Sequence, residues 1–243
     1  MISTREIKEV KALAAKKRRD ETGLFVVEGE KMVAEALQSG FELVKSWRRD
    51  DIGEAAMARI SSLSSPSPVF AVLRQKAPSR PPVDNGLYLA LDAIRDPGNL
   101  GTILRIADWF GIRTLAVSPD TVELYNPKVV QATMGAIFRI NVHYVELPGW
   151  LDEILAAGGK VYGTFLDGRN LYERPLETGA DAPAVIVTGN ESNGIGPAVA
   201  ALVSDRLFIP PFPGDGPTSE SLNAAVATAV TVAEFRRRLW ASR

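Results

Sequence analysis

The chemistry in this chain is concentrated in three short polar stretches. The first, Asp96-Pro97-Gly98-Asn99-Leu100-Gly101-Thr102-Ile103-Leu104-Arg105, carries a guanidinium one to two turns into a helix whose apolar stripe is Ile103, Ile106, Ala107 and Phe110. Arg105 lies off that stripe, where its permanently charged fork could reach an anionic or electron-rich ligand held over the preceding loop. The second stretch, Gly189-Asn190-Glu191-Ser192-Asn193-Gly194-Ile195-Gly196, sets one carboxylate among residues small enough to let backbone approach a ligand closely. The third, Thr218-Ser219-Glu220-Ser221-Leu222-Asn223, follows a segment rich in proline and glycine and opens a helix rich in Ala and Val. A purely structural reading stands beside each: Asn99 and Ser221 have the form of ordinary N-caps, and Glu191 that of an anion at a helix terminus.

Each stretch follows a short apolar run. Leu87-Tyr88-Leu89-Ala90-Leu91, Ala184-Val185-Ile186-Val187-Thr188 and Leu207-Phe208-Ile209 are bounded by turn residues and read as strands buried on both faces. Open α/β sheets bind ligands outside the carboxyl ends of their strands, where all three polar stretches fall. Strands are expected over 87–92, 114–117, 141–145, 160–165, 184–188 and 206–209, alternating with helical patterns that end in a helix over about Ser219 to Leu239. That alternation predicts a mainly parallel sheet covered on both sides. Ahead of it, helices over Ile2–Ala15, Gly29–Gln38 and Ala55–Leu63 and strands over Leu24–Val27, Leu43–Trp47 and Val69–Val72 predict a small α/β unit. The proline-rich run 77–85 reads as a linker. The expected division is therefore 1–76, a small α/β domain; 77–85, a linker; and 86–243, the main domain.

In this order and placement, the three stretches resemble the sequence motifs of the SpoU (TrmH-like) RNA ribose 2′-O-methyltransferases of the SPOUT superfamily, and the resemblance covers roughly the whole chain. The matching residues are Asp96, Pro97, Asn99, Gly101, Arg105 and Ala107; then Gly189, Asn190, Glu191 and Gly194; then Ile209, Pro210, Ser221, Leu222 and Asn223. Asn126-Pro127-Lys128-Val129-Val130 and Thr133-Met134-Gly135-Ala136 resemble the segment these enzymes place between the first two motifs. Phe25-Val26-Val27-Glu28-Gly29 resembles the small substrate-binding domain of many members. The chain departs from the pattern in its long loop between Pro210 and Ser221 and in Ser192, where glycine is common.

The resemblance implies a SPOUT-type α/β fold with a carboxyl-terminal trefoil knot, an exception to the usual absence of knots. It also implies a homodimer whose active site draws on both subunits. The implied reaction moves the sulfonium methyl of S-adenosylmethionine to a ribose 2′-hydroxyl, without metal. Asn99, Arg105, Glu191, Ser221 and Asn223 are the implied catalytic residues. Arg105 is expected to act electrostatically, since a guanidinium does not give up its proton, with Glu191 orienting it. Cofactor contacts are expected at Thr188, Gly189, Asn190, Gly194, Ile209, Pro210 and Leu222. Ribosomal RNA is the first expectation for substrate; the alternatives are transfer RNA, or an RNA-binding protein of this fold without catalysis.

Composition narrows the remaining classes. The 243 residues contain no cysteine and one histidine, His143, which excludes disulfides, thiolate metal sites and cysteine nucleophiles. His143 sits in a strand-like run and reads as structural. No apolar run approaches the ~20 residues of a membrane span and no secretory signal opens the chain, so a cytoplasmic protein is expected. The glycine loop lacks the Gly-Lys-Ser/Thr ending of a phosphate loop and the Gly-x-Gly-x-x-Gly of a dinucleotide fold. Net charge is only −1. The basic excess nevertheless gathers at the front, where Lys11, Lys16, Lys17, Arg18 and Arg19 are candidates for RNA phosphate contact, against the plain reading of a solvated helix face. Glu28, at a strand-to-helix turn, is a candidate RNA contact or helix cap.

Overall fold

The computed structural model describes residues 2–177, 179–212 and 219–241. The chain forms two compact units, one made of 1–77 and 123–139, the other of 78–122 and 140–243. The first therefore takes in a segment from the middle of the sequence, whereas the expected domains were contiguous.

In the first unit α1 (Thr4–Ala12) opens with a reciprocal capping box, in which Ser3 Oγ accepts from the Glu6 amide and Glu6 accepts from the Ser3 amide. The single helix expected over Ile2–Ala15 is broken after Leu13, and α2 (Lys16–Thr22) follows. The break frees the carbonyls of Leu13 and Ala14, which Arg19 Nη1 takes at 2.7 and 2.8 Å. Then come β1 (Leu24–Glu28), α3 (Glu30–Leu37), β2 (Leu43–Arg48), α4 (Arg49–Ile52), α5 (Glu54–Ile60) and β3 (Val69–Arg74). The strands form an antiparallel sheet in the order β1-β3-β2. Ile7, Val10 and Leu13 pack with Val26, Trp47, Met57, Ile60, Phe70 and Val72 to fill its core. Glu28 neither caps α3 nor faces solvent. Its buried carboxylate accepts from the hydroxyls of Ser61 and Ser62 and the Ser62 amide, at 2.5–2.8 Å, and so fastens the loop before β3.

The second unit begins with 78–85, which is pinned to it rather than tethered. Trp150 Nε1 donates to the Pro82 carbonyl at 3.1 Å, and Arg80 pairs with Glu153 at 2.6 Å. His143 Nδ1 lies 2.8 Å from the Ser79 carbonyl, which gives the lone histidine its structural role. Along the chain follow β4 (Leu87–Leu91), α6 (Pro97–Trp109), β5 (Thr114–Val117), then α7 (Pro127–Ala132) in the first unit, and β6 (Asn141–Tyr144). The rest is α8 (Leu147–Ala156), β7 (Lys160–Asn170), β8 (Ala184–Thr188), α9 (Pro197–Ala200), β9 (Asp205–Phe208) and α10 (Ala224–Ala241).

All six strands run parallel in the order β6-β5-β4-β8-β7-β9. Every residue of β4 and β8 is buried, as parallel strands covered on both faces require. β7 is longer than expected because a register shift between Thr164 and Arg169 lets it pair with β9 a second time. α10 starts at Ala224 instead of Ser219: Asn223 Oδ1 accepts from the amides of Ala225 and Val226, at 3.0 and 3.3 Å, and so caps the helix itself. No helix among the described residues is long and apolar enough to cross a membrane.

Candidate active site

The strand order reverses between β4 and β8, because the chain builds outward from β4 through β5 and β6 and then adds β7, β8 and β9 on the other side. Such a switch point opens a crevice at the carboxyl ends of the strands. Leu91 pairs with Thr188 at the ends of β4 and β8, and the Asp92 amide donates to the Thr188 carbonyl at 2.9 Å, so the first two polar stretches emerge side by side.

α6 begins at Pro97 because Asp96 Oδ1 accepts the Asn99 amide at 2.8 Å. Asn99, 9% exposed in the first turn, does not cap the helix as the sequence suggested; Asp96 does. This frees the Asn99 carboxamide. Its Nδ2 donates to Glu191 Oε1 at 2.7 Å, and its Oδ1 accepts from Asn223 Nδ2 at 2.9 Å. One residue from each motif is thus joined in a single chain of hydrogen bonds, Glu191 to Asn99 to Asn223.

The remaining expected residues sort by burial and partners. Thr188 is buried and its hydroxyl lies 2.8 Å from that of Thr228, which ties β8 to α10; its side chain faces the interior. Gly189 has no room for any side chain, since a Cβ there would stand 2.2–2.4 Å from the backbone of Gly194 and Ile195. The space that glycine was expected to leave for a ligand is filled by the loop's own return. Asn190 and Gly194 bridge each other through both amides at 2.9 Å, which closes that loop. Ile209 and Pro210 are half-buried at the end of β9, and Leu222 is 48% exposed ahead of α10. Ser221 is exposed and makes no side-chain hydrogen bond among the described residues. Most of the long loop from Pro210 to Ser221, residues 213–218, lies outside the described residues.

Arg105 does not join the Asn99 cluster. Six residues from Asn99, it points about 120° away round α6, is exposed, and has no hydrogen-bond or ionic partner among the described residues. Glu191 therefore orients Asn99 and not, within one chain, Arg105. One turn on from Arg105, Trp109 is 86% exposed.

Among the basic residues of the amino-terminal unit, Arg19 is corrected outright. It is 2% exposed, pairs with Glu123 through Nε at 2.9 Å and Nη2 at 2.5 Å, and satisfies two carbonyls. A guanidinium so enclosed serves the fold and not a phosphate. Arg18 and Lys16 are exposed and pair with neighbours on their own helix, Glu21 at 3.2 Å and Asp20 at 2.6 Å. Lys11 and Lys17 are exposed with no partner among the described residues.

Sequence reasoning missed Asp92, whose Oδ2 accepts the Gly196 amide at 2.7 Å, and Thr228. It also missed Ala93, whose φ of +57° is left-handed. Asp92 closes the β4 run and could have been found from that position; nothing local marks Thr228 or Ala93. No group of three or more metal-ligating side chains exists among the described residues.

A parallel α/β sheet with a hydrogen-bonded polar cluster at its switch point places that cluster where open α/β sheets bind their ligands. The family model for the SpoU rRNA Methylase family matches residues 86–233, and that for an MRM3-like substrate binding domain matches residues 4–53. The 23S rRNA (guanosine(2553)-2′-O)-methyltransferase RlmP of Bacillus subtilis is 30% identical over 246 residues, covering 95% of this chain and 96% of that protein. Among solved structures, a TrmH-family protein from Porphyromonas gingivalis superposes with a TM-score of 0.87 at 38% identity, covering 98% of this chain and 99% of that one. An rRNA methyltransferase from Sinorhizobium meliloti with AdoMet bound superposes at 0.86 with 29% identity, covering 98% and 97%. This chain belongs to the SpoU rRNA methylase family.

Proposed function

We propose that the protein is an S-adenosylmethionine-dependent methyltransferase acting on a ribose 2′-hydroxyl of ribosomal RNA. The observation that carries this reading is the Glu191–Asn99–Asn223 chain, which joins all three motifs at the switch point. Ribosomal RNA is favoured over transfer RNA by the rRNA substrates in the names of the full-length relatives and by the match at 4–53.

The residues present fit the cofactor. Ile209 and Pro210, at the end of β9, and Leu222, just ahead of α10, leave apolar surface uncovered, suited to an adenine ring, and the 188–194 loop leaves the carboxyl end of β8 in the same sheet. When bound, S-adenosylmethionine supplies a methyl already activated by the sulfonium. The chain's own task is to align the hydroxyl and favour loss of its proton. Glu191 fixes the Asn99 carboxamide, and Asn99 and Asn223 together orient the hydroxyl, with Ser221 as a further donor. Arg105 stabilises the developing alkoxide or an adjacent phosphate.

Because Arg105 stands away from this cluster, the reading includes a homodimer in which Arg105 of one subunit completes the site of the other. Exposed Trp109 on α6 and exposed Trp240 and Val226 on α10 are the surface such a dimer would bury. α6 and α10 are already joined, by Arg236 Nε donating to the Phe110 carbonyl at 2.8 Å. The reading also includes the carboxyl-terminal knot, a cytoplasmic location, and phosphate contact by Lys11, Lys16, Lys17 and Arg18.

The test is transfer of labelled methyl from S-adenosylmethionine to ribosomal RNA, with the same RNA carrying 2′-deoxynucleotides as control. Transfer abolished by the deoxy substitution supports the reading. Calorimetry of S-adenosylmethionine binding, lost in Leu222→Arg, checks the pocket separately. Cofactor binding without transfer to any ribosomal or transfer RNA favours a non-catalytic RNA-binding protein.

A further inference from the structure

Ala93 adopts φ +57°, a left-handed conformation that costs any residue with a Cβ, three residues before the Asp96 cap that starts α6. Two side chains hold it there. Ser118, at the end of β5, accepts the Ala93 amide at 2.8 Å, and Asn190 Nδ2 donates to the Ala93 carbonyl at 2.7 Å. The other capacity of Asn190 is also used. Its Oδ1 accepts the amides of Ser192 and Asn193 at 3.0 and 3.1 Å, and Nδ2 lies 3.3 Å from Glu191 Oε2. A carboxamide offers two donor hydrogens and two acceptor lone pairs, so this side chain has nothing left for a cofactor.

We propose that Asn190 is a positioning residue: by clamping the left-handed turn at Ala93 to the Gly189–Gly194 loop, it sets Asn99 and Glu191 at bonding distance. Two ties run between the same loops from adjacent residues, Asn190 to the Ala93 backbone and Glu191 to the Asn99 side chain. The first holds the turn that leads into α6, whose start Asp96 caps, and the second uses that placement. Ser118 braces the turn from the carboxyl end of the neighbouring strand β5, and its own hydroxyl donates to Asp120 at 2.6 Å.

The catalytic part of this inference rests on the methyl-transfer reading, and the experiment separates the two. Asn190→Ala is expected to lower kcat at least tenfold while KM for S-adenosylmethionine moves less than threefold. Asn190→Asp retains the acceptor for the Ser192 and Asn193 amides but cannot donate as a carboxylate, and is expected to lose as much. Glycine takes a left-handed turn without help, so Ala93→Gly in the Asn190→Ala background is expected to recover at least threefold of the lost kcat. It is also expected to raise the Tm of that variant by more than it raises that of the parent. An Asn190→Asp variant with parental kcat would show that the residue merely shapes its own turn. Equal effects of Ala93→Gly on Tm in both backgrounds would overturn the clamp. If the parent protein methylates no RNA, the function reading fails alone, because the four melting temperatures still decide whether residues 93 and 190 are coupled.

Discussion

Asn223 Nδ2 donates to Asn99 Oδ1 at 2.9 Å across 124 residues of sequence. Both are also tied to a helix start: Asn223 Oδ1 caps α10, and the Asn99 amide is held by the cap of α6. Capping and site geometry therefore meet at both residues; a substitution of Asn223 acts on both through its side chain, whereas the cap of α6 uses only the backbone amide of residue 99 and survives a change of its side chain.

Asn99→Ala should leave Glu191 Oε1 and Asn223 Nδ2 without their partner. Because Glu191 and Asn223 are exposed and water can replace the carboxamide, only about 0.5–1.5 kcal/mol of stability is expected to be lost, together with at least a hundredfold fall in kcat. Chemical denaturation and single-turnover methyl transfer measure the two. An active Asn99→Ala enzyme would remove the carboxamide chain from the mechanism.

Arg105→Ala should behave in the opposite way. An exposed side chain without partners contributes within about 0.5 kcal/mol, so Tm should stay put while methyl transfer falls at least a hundredfold. Mixed dimers of Arg105→Ala and Asn99→Ala subunits should regain a fraction of the activity that neither homodimer has, since one composite site would be intact. No recovery on mixing would place Arg105 and Asn99 in the same subunit's site.

The amino-terminal cations should divide by burial. Lys17→Ala should lower RNA affinity and flatten its salt dependence by about one counterion, with no change in Tm. Arg19→Met should instead destabilise the fold and leave the salt slope unchanged, as Arg19 spends its guanidinium on Glu123 and two carbonyls. A reduced slope for Arg19→Met at unaltered Tm would reverse that assignment.

Acid should act through α10. Hydrogen bonds from Arg237 and then Arg238 hold the buried Glu234 carboxyl down to about 2 from its ordinary 4.5. A carboxyl depressed in the folded state adds stability that is fully present above its unfolded pKa and fades as pH falls through the folded one. Tm should thus drop between about pH 5 and 2, and Glu234→Gln should be less stable than the parent at pH 7, with the gap closing toward pH 2. A gap independent of pH would mean that the ionised form of Glu234 contributes nothing.

The pattern of short apolar runs between turn residues located all six strands of the parallel sheet; the central β4, β5 and β8 leave continuous apolar runs because they are buried on both faces, while the edge strands β6 and β9 are largely exposed or half-buried. Asn99, Glu191 and Asn223 were legible as motif residues, and the structure brings them together. Their connection was not legible, because a hydrogen bond across 92 or 124 residues depends on which strands are neighbours and not on local spacing. The same limit explains Arg19, which looks like its exposed neighbours until Glu123 arrives from a distant segment. It explains Gly189 as well, where the need for glycine comes from the backbone of Gly194 and Ile195.

The inclusion of 123–139 in the first unit bears on how the molecule is made. Synthesis runs from the amino terminus, so β1, β2 and β3 leave the ribosome well before Glu123 exists to neutralise Arg19, or Tyr125 to pack its ring, tilted, against Phe25 with centroids 4.6 Å apart. The amino-terminal unit cannot complete its core until β4, α6 and β5 of the other unit have also been translated. The two units therefore finish folding in an overlapping schedule, and a nascent chain halted at residue 77 would hold an unfinished first unit.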